Sequence, residues 1–326
     1  MQTLVTGGTG FTGSHLVRRL LERGHAVRVL DDVPGLFAKE LRGLGADLTL
    51  GSVTDASLVD GLMRGVEQVF HVAAVFRKIN LPRQVYHEVN AVGTRIVGDA
   101  ALRHGVTAFV NCSTQGVHGD IKFPPGDEDS PIRPEDYYQQ TKYEGEQALA
   151  PLVDRGLPVT TLRPMAIYGP GDPARFLFLF RAVKRGRFLM FGDGRTLYHP
   201  LYIDNLVDAF ELAASHPGRG EAYLIGDAQY YALNDLVEAV ATAMGQSIRI
   251  THLPFAPLWV ASAICEAVCM PLGIEPPLFR RRADWFRQNR AFRIERARHA
   301  LGYEPKVDLP TGLARTAVWY RDHGYL

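Results

Sequence analysis

The chain has 326 residues, of which 46% are hydrophobic and 22% charged, with a formal net charge of +1. That length can bury a core in one large domain or two lobes, the composition is that of a soluble globular protein, and the near-neutral charge gives no general pull toward nucleic acid. Cys112, Cys265 and Cys269 lack Cys-x-x-Cys spacing and the eleven histidines do not cluster, which argues against a disulfide framework, predicts no metal and fits a reducing cytoplasm.

The chain opens Met1-Gln-Thr-Leu-Val-Thr-Gly7, without a charged n-region before an apolar stretch, so no signal peptide is expected. Short apolar runs predict strands at Thr3–Thr6, Ala26–Leu30, Asp47–Leu50, Gln68–Val72, Ala108–Cys112 and Val159–Leu162. Between the first two, Leu16, Val17, Leu20 and Leu21 recur at helical spacing and predict a helix over Ser14–Arg23. Repeated strand–helix–strand units imply an α/β fold, a Rossmann-type doubly wound parallel sheet with helices on both faces.

The first strand runs into Gly7, Gly10 and Gly13, a Gly-x-x-Gly-x-x-Gly turn that opens the helix. Small residues let the backbone approach a pyrophosphate, which rests at the positive end of the helix. Asp31 ends the second strand, where a carboxylate can accept both ribose hydroxyls of NAD and repel a 2′-phosphate. Asp32 doubles that charge or serves only to initiate the turn. No Arg lies within 31–39, so the expected cofactor is NAD.

Farther along, Tyr138 and Lys142 stand four apart in Asp136-Tyr-Tyr-Gln-Gln-Thr-Lys-Tyr-Glu-Gly-Glu146. On a helix they share a face, and an ammonium there favours the charged phenol, which can then pass protons near neutral pH. Tyr137 and Tyr143 have no Lys four residues later. Chance alone supplies roughly 0.2–0.3 such pairs in a chain this long, so the pair gains its meaning from the other motifs.

After Arg163 the texture changes to frequent Pro and Gly, followed by helical patterns near 203–215 and 233–244. Residues 1–163 are expected to form the cofactor domain. Residues 164–326 are expected to form a smaller C-terminal substrate-binding lobe, with some segments returning to the first domain. The apolar stretch Leu258–Met270 is too short to span a bilayer, contains Glu266 and is flanked by Pro257 and Pro271. A buried or substrate-facing helix is expected there. Together with Arg280, Arg281, Arg282, Arg287 and Arg290 it could also dip into an anionic membrane surface, but a folded lid accounts for the same residues.

In these ordered motifs the chain resembles the extended short-chain dehydrogenase/reductase family from residue 2 to about residue 325. The likeness rests on the glycine loop, Asp31, His71-Val-Ala-Ala74, Asn90-Ala-Val-Gly-Thr94, Ser113-Thr-Gln-Gly-Val-His-Gly119, the Tyr138/Lys142 pair and Arg163-Pro-Met-Ala-Ile-Tyr-Gly-Pro-Gly171. The resemblance implies that Phe11 and Thr12 line the pyrophosphate and that Ser52 and Val53 contact adenine, with Ser52 replacing the usual Asp. It implies that Val72, Ala73, Ala74, Asn90 and Met165 border the cofactor. Thr114, Tyr138 and Lys142 become the catalytic group, with Lys142 also on the nicotinamide ribose. For Ser113 and His118, local packing and strand-end hydrogen bonding are expected instead.

Family members of this type include nucleotide-sugar epimerases, dehydratases and hydroxysteroid-type dehydrogenases. Gln115-Gly116 follow Thr114 where a 4,6-dehydratase carries an acid and base pair, which argues against that reaction. Ala166 and Tyr198 stand where nucleotide-sugar enzymes place diphosphate contacts, and Arg282 falls near a phosphate-binding Arg of such enzymes. The apolar 254–286 segment suits a greasy ring substrate. The expected activity is hydride transfer to or from a ring secondary alcohol, 3β-hydroxysteroid-dehydrogenase-like. The alternative is a nucleotide-sugar 4-epimerase, like a UDP-glucose 4-epimerase, with tightly bound NAD. A non-catalytic NAD-binding regulatory protein is the third reading. The resemblance also implies a homodimer through helices at 88–104 and 136–150.

Overall fold

Strand β1 (Gln2–Thr6) is buried at four of its five positions, and β5 (Ala108–Cys112) and β6 (Val159–Pro164) are buried throughout. Strands covered on both faces need helices above and below, which parallel crossovers supply. In the computed structural model, which describes residues 1–76, 81–172, 175–274 and 276–326, they lie in one seven-stranded sheet. With β2 (Ala26–Asp31), β3 (Asp47–Leu50) and β4 (Gln68–His71), the order is β3-β2-β1-β4-β5-β6 and then Ala222–Ile225, every pair parallel. The order reverses between β1 and β4, and a crevice opens there beyond the carboxyl ends of the strands.

Alternation along the strands sorts the core into two layers. On one face Val5, Phe70 and Val110 pack with Leu16, Val17, Leu206 and Phe210 from the helices Phe11–Glu22 and Ile203–Ser215. On the other, Leu4, Val69 and Phe109 pack with Val59, Val97 and Leu149 from Ala56–Met63, Thr94–Arg103 and Tyr137–Val153. A third cluster builds the C-terminal lobe from Phe176, Phe180, Leu236, Leu313 and Tyr320.

The chain does not divide cleanly at 163/164. Strand β6 continues through Pro164, and Ala222–Ile225, absent from the expected strands, pairs with it from Ala222 against Thr161 to Ile225 against Pro164. The Ile203–Ser215 helix covers the same sheet. Both segments follow the boundary in sequence and belong to the first domain in space.

The apolar helix Phe255–Cys269 departs from expectation. It is neither buried nor turned into the substrate cleft. Ser262 is its only buried residue, while Val260, Ile264 and Val268 are 52%, 61% and 58% exposed. Its inner face meets the Arg280–Phe286 segment. Arg280 pairs with Glu266 at 2.7 Å and lies over the Trp259 ring, and Arg287 lies over Phe255. Residues 255, 259, 262 and 266 share that face, so Ile264 points the opposite way.

Candidate active site

The glycine turn is held by geometry that side chains would break. Gly7 has φ of +69°, and a Cβ there would fall 2.7 Å from the Ala73 backbone at the end of β4. A Cβ on Gly13 would meet the Gly7 carbonyl oxygen at 2.2 Å, so the helix packs directly on the turn. Around Gly10 only that oxygen, 3.4 Å away, approaches, and the backbone there borders an open cleft of about 410 Å³. These are the three distinct demands that a pyrophosphate at a helix N-terminus places on such a turn.

Asp31 sits beside the turn and lines the cleft. Its Oδ2 accepts from the Thr9 amide at 2.9 Å and from the Thr9 hydroxyl at 2.6 Å, which ties the glycine turn to the end of β2. Its Oδ1 accepts from the Asp32 amide at 3.1 Å and keeps acceptor capacity for a ribose hydroxyl. Burial raises the Asp31 carboxyl above its usual range, and the Thr9 hydrogen bonds oppose that rise. Asp32, Ser52, Val53, Phe11, Thr12, Val72, Ala73 and Ala74 line the same cleft. The Ser52 hydroxyl is engaged by Thr54 at 2.7 Å.

Asn90 does not line the cleft. It is fully buried in the π-helical turn Glu88–Gly93, where its amide bonds both the N–H and the C=O of Val75 and donates to the Thr141 hydroxyl. It therefore fixes the 72–76 loop that forms the cleft wall. His71 braces the same loop. The Thr94 hydroxyl donates to the Asn90 carbonyl, so toward His71 Nε2, 2.9 Å away, it can only accept. That leaves His71 Nδ1 to accept from the Thr6 hydroxyl at 2.8 Å, and the Thr6 oxygen in turn accepts from the Ala73 amide. Burial, with the nearby Lys142 charge, pushes His71 down to about 3, so the ring stays neutral as this chain of bonds requires.

The Tyr137–Val153 helix starts with a capping box. Asp136 accepts from the Gln139 amide at 2.8 Å, and the Gln139 side chain accepts from the Asp136 amide. Tyr138 thus lies in the first turn, where unpaired amides and the helix dipole favour negative charge. Its ring meets Phe76 edge-on at 5.0 Å. Lys142, one turn later, is buried in the cleft wall, and burial lowers its ammonium below the usual value while Glu146 opposes the shift.

Thr114 follows β5 and caps the short helix Gln115–His118, with its hydroxyl oxygen accepting from the Gly116 amide at 3.1 Å. The hydroxyl proton is thereby left to donate into the cleft. The side chain of Gln139 sits against Gly116, where a Cβ would be 3.0 Å from it. That contact joins the turn bearing Thr114 to the helix start bearing Tyr138, and all three catalytic candidates line one cleft.

Beneath them lies a buried polar network. The Ser113 hydroxyl donates to Glu146, which forms a two-pronged pair with Arg163 at 3.1 and 2.6 Å. Arg163 Nη1 donates to His118 Nε2 at 3.1 Å, and His118 Nδ1 donates to the Ser130 carbonyl at 2.9 Å. Ser113 and His118 are thus both engaged in hydrogen bonds of this network, and Ser113 also lines the cleft. Glu146, four residues beyond Lys142 on the same helical face, carries no motif of its own and is identified by these bonds.

The substrate positions need correction. Met165, expected beside the cofactor, lines the cleft, but Ala166, expected beside the substrate, does not: it lies in a short strand paired with Pro200–Tyr202. Tyr198 is 3% exposed and packs against Trp285 in the lobe core. Arg282 stacks over Phe279 outside the cleft. Among the described residues, the arginine that lines it is Arg290, which also borders a neighbouring cavity of about 350 Å³ with Trp259, Arg280 and Arg287. Phe76, Ile167 and Asp172 complete the wall on this side.

Comparison with known proteins agrees with this geometry. Residues 3–226 match the model of the NAD dependent epimerase/dehydratase family. The chain is 33% identical over 328 residues to a 2-alkyl-3-oxoalkanoate reductase of Stenotrophomonas maltophilia, covering 97% of this chain and 98% of the relative. It is 32% identical over 339 residues to a 3 beta-hydroxysteroid dehydrogenase/Delta 5-->4-isomerase of Mycobacterium tuberculosis, covering 98% and 90%. The solved UDP-glucose 4-epimerase of Thermotoga maritima with UDP-glucose superposes with a TM-score of 0.80 at 26% identity, over 99% of both chains. The chain therefore belongs to the NAD-dependent epimerase/dehydratase family, extended short-chain dehydrogenase/reductases that use NAD.

Proposed function

We propose that the protein is a net dehydrogenase or reductase that takes hydride from a secondary alcohol on a lipophilic body, or delivers it to the corresponding ketone, with a hydroxysteroid-like ring alcohol as the preferred class. The carrying observation is the cleft beyond Thr114, Tyr138 and Lys142. Phe76, Met165 and Ile167 line it, and Arg290 is the one cation there besides Lys142 among the described residues. An apolar wall of this kind suits the hydrocarbon body of such an alcohol.

Bound NAD supplies the hydride acceptor or donor. Gly7, Gly10 and Gly13 make room for its pyrophosphate, and Asp31 and Asp32 select a free ribose 2′-hydroxyl. The Thr114 hydroxyl donates to the substrate oxygen and orients it. Tyr138 takes the alcohol proton on oxidation and returns it on reduction, while Lys142 and the first-turn amides favour its anionic form.

The second reading is a nucleotide-sugar 4-epimerase, favoured by Arg290 and the neighbouring arginine-lined cavity. Glu135, Asp136, Glu266 and Asp284 also line that cavity, however, and Arg280 and Arg287 are paired with Glu266 and Asp284. NADH absorbance separates the readings: a dehydrogenase accumulates NADH with a hydroxysterol and not with nucleotide sugars. Interconversion of UDP-glucose and UDP-galactose without net NADH would overturn the first reading. We also propose a homodimer through the mutually packed Thr94–Arg103 and Tyr137–Val153 helices, for which a monomeric mass in solution is the contrary result.

A further inference from the structure

The Phe255–Cys269 helix and the turn after it invert the usual arrangement of a surface helix. Exposed positions 256, 257, 260, 261, 264, 267 and 268 are all apolar, and Met270, Leu272 and Ile274 extend the face at 62%, 67% and 55% exposure. Only 6% of Phe255–Leu272 is buried. The charged residues lie on the other side, with Glu266 bonded to Arg280 through two contacts of 2.7 Å. A contiguous apolar face of this extent on a folded chain marks a surface that something covers.

We infer that this face docks on the surface of an anionic lipid bilayer. Arg281 and Arg282 provide the charge complementarity, since Arg280 and Arg287 are already paired with Glu266 and Asp284. Arg280, Arg281, Arg282 and Arg287 stand on the segment packed against the helix, and Arg280, Arg282 and Arg287 are exposed. The acidic partners nearby, Glu266 and Asp284, are turned to Arg280 and Arg287. An apolar face beside basic residues is the pattern of a helix lying in the interfacial plane. Anionic headgroups neutralise this cluster, whereas a second copy would bring the same arginines to the same interface.

The helix lies on the bilayer and does not cross it. By length and composition alone the 18-residue stretch Phe255–Leu272 could cross a membrane, but its inner face is packed on the Arg280–Phe286 segment. Spanning would also drag Glu266, Ser262 and the packed arginine segment into lipid. Trp259 of the inner face and Arg290 of the cleft line one cavity, so the helix stands between that cavity and the docked bilayer. The inference stands whether or not the substrate is a sterol.

The test is co-sedimentation of the full chain with vesicles of phosphatidylcholine alone and of equal parts phosphatidylcholine and phosphatidylglycerol. Capture is expected on the anionic vesicles and should weaken as salt is raised. The double variant I264D/V268D changes only exposed side chains, so it should keep the parent's thermal unfolding and lose capture at least tenfold. Replacing Arg281 and Arg282 by Gln should lower capture about fivefold per arginine. Equal capture by both vesicle types, no capture by either, or undiminished capture of I264D/V268D overturns the inference. So does a parent dimer that I264D/V268D dissolves while vesicle binding stays absent.

Discussion

The cleft wall between β4 and the Tyr137–Val153 helix and the Phe255–Cys269 helix use opposite strategies with similar residue types. In the first, polar and ionic groups are buried and nearly every one is bonded: His71 between two threonines, Asn90 across Val75, Arg163 across Glu146. In the second, apolar groups are exposed and the ions lie behind them. Buried polar networks are costly unless satisfied, so they hold the reacting groups in one arrangement. An exposed apolar face carries no such constraint and contributes little to the stability of the chain alone. The first region is built to be rigid, the second to be covered.

Mutations can break or sharpen that contrast. The largest effect is expected for Tyr138→Phe, with turnover falling about 10²–10⁴-fold while NAD affinity, read by fluorescence titration, stays near that of the parent. Near-normal turnover would remove Tyr138 from the proton-transfer role. Next comes Arg163→Met, which leaves Glu146 buried without its partner. It should cost about 3–5 kcal/mol in denaturant unfolding, and a cost under 1 kcal/mol would show that the network does not brace the site. For Gly7→Ala, the φ of +69° and the approach to Ala73 predict a loss of about 1–3 kcal/mol and weaker NAD binding. The smallest effect belongs to the other region. Ile264→Asp should change unfolding free energy by less than about 0.5 kcal/mol; a loss like that of Arg163→Met would mean that the helix face is packed in solution.

Much of the cofactor half was legible in sequence. Six strands were expected within two residues at either end, because runs buried on both faces read as apolar blocks and the glycine turn marks the first crossover. Tyr138 and Lys142 were legible because helical spacing alone places them on one face. Thr114 needed the family pattern, and only the structure shows its hydroxyl oxygen accepting from the Gly116 amide. Asn90 and His71 were harder: a buried polar residue after a strand has many uses, and only its partners reveal which applies. The substrate wall was read least well. Ala166, Tyr198 and Arg282 sit near the right elements, but strand pairing, the Trp285 contact and stacking on Phe279 turn them away from the cleft.

Residue type and spacing by themselves determined the parallel α/β fold, the nucleotide turn and the Tyr138/Lys142 pair, because each follows from chain-local geometry of period 2 or 3.6. Only the tertiary structure decided that Ala222–Ile225 completes the sheet, that Arg290 lines the cleft, and that the Phe255–Cys269 helix faces outward. Those outcomes depend on which distant segment wins the contact. The helix's inner face went to the Arg280–Phe286 segment, through the Arg280–Glu266 pair and the packing of Arg280 and Arg287 on Trp259 and Phe255. Composition cannot say which side of an apolar helix a charged neighbour will claim.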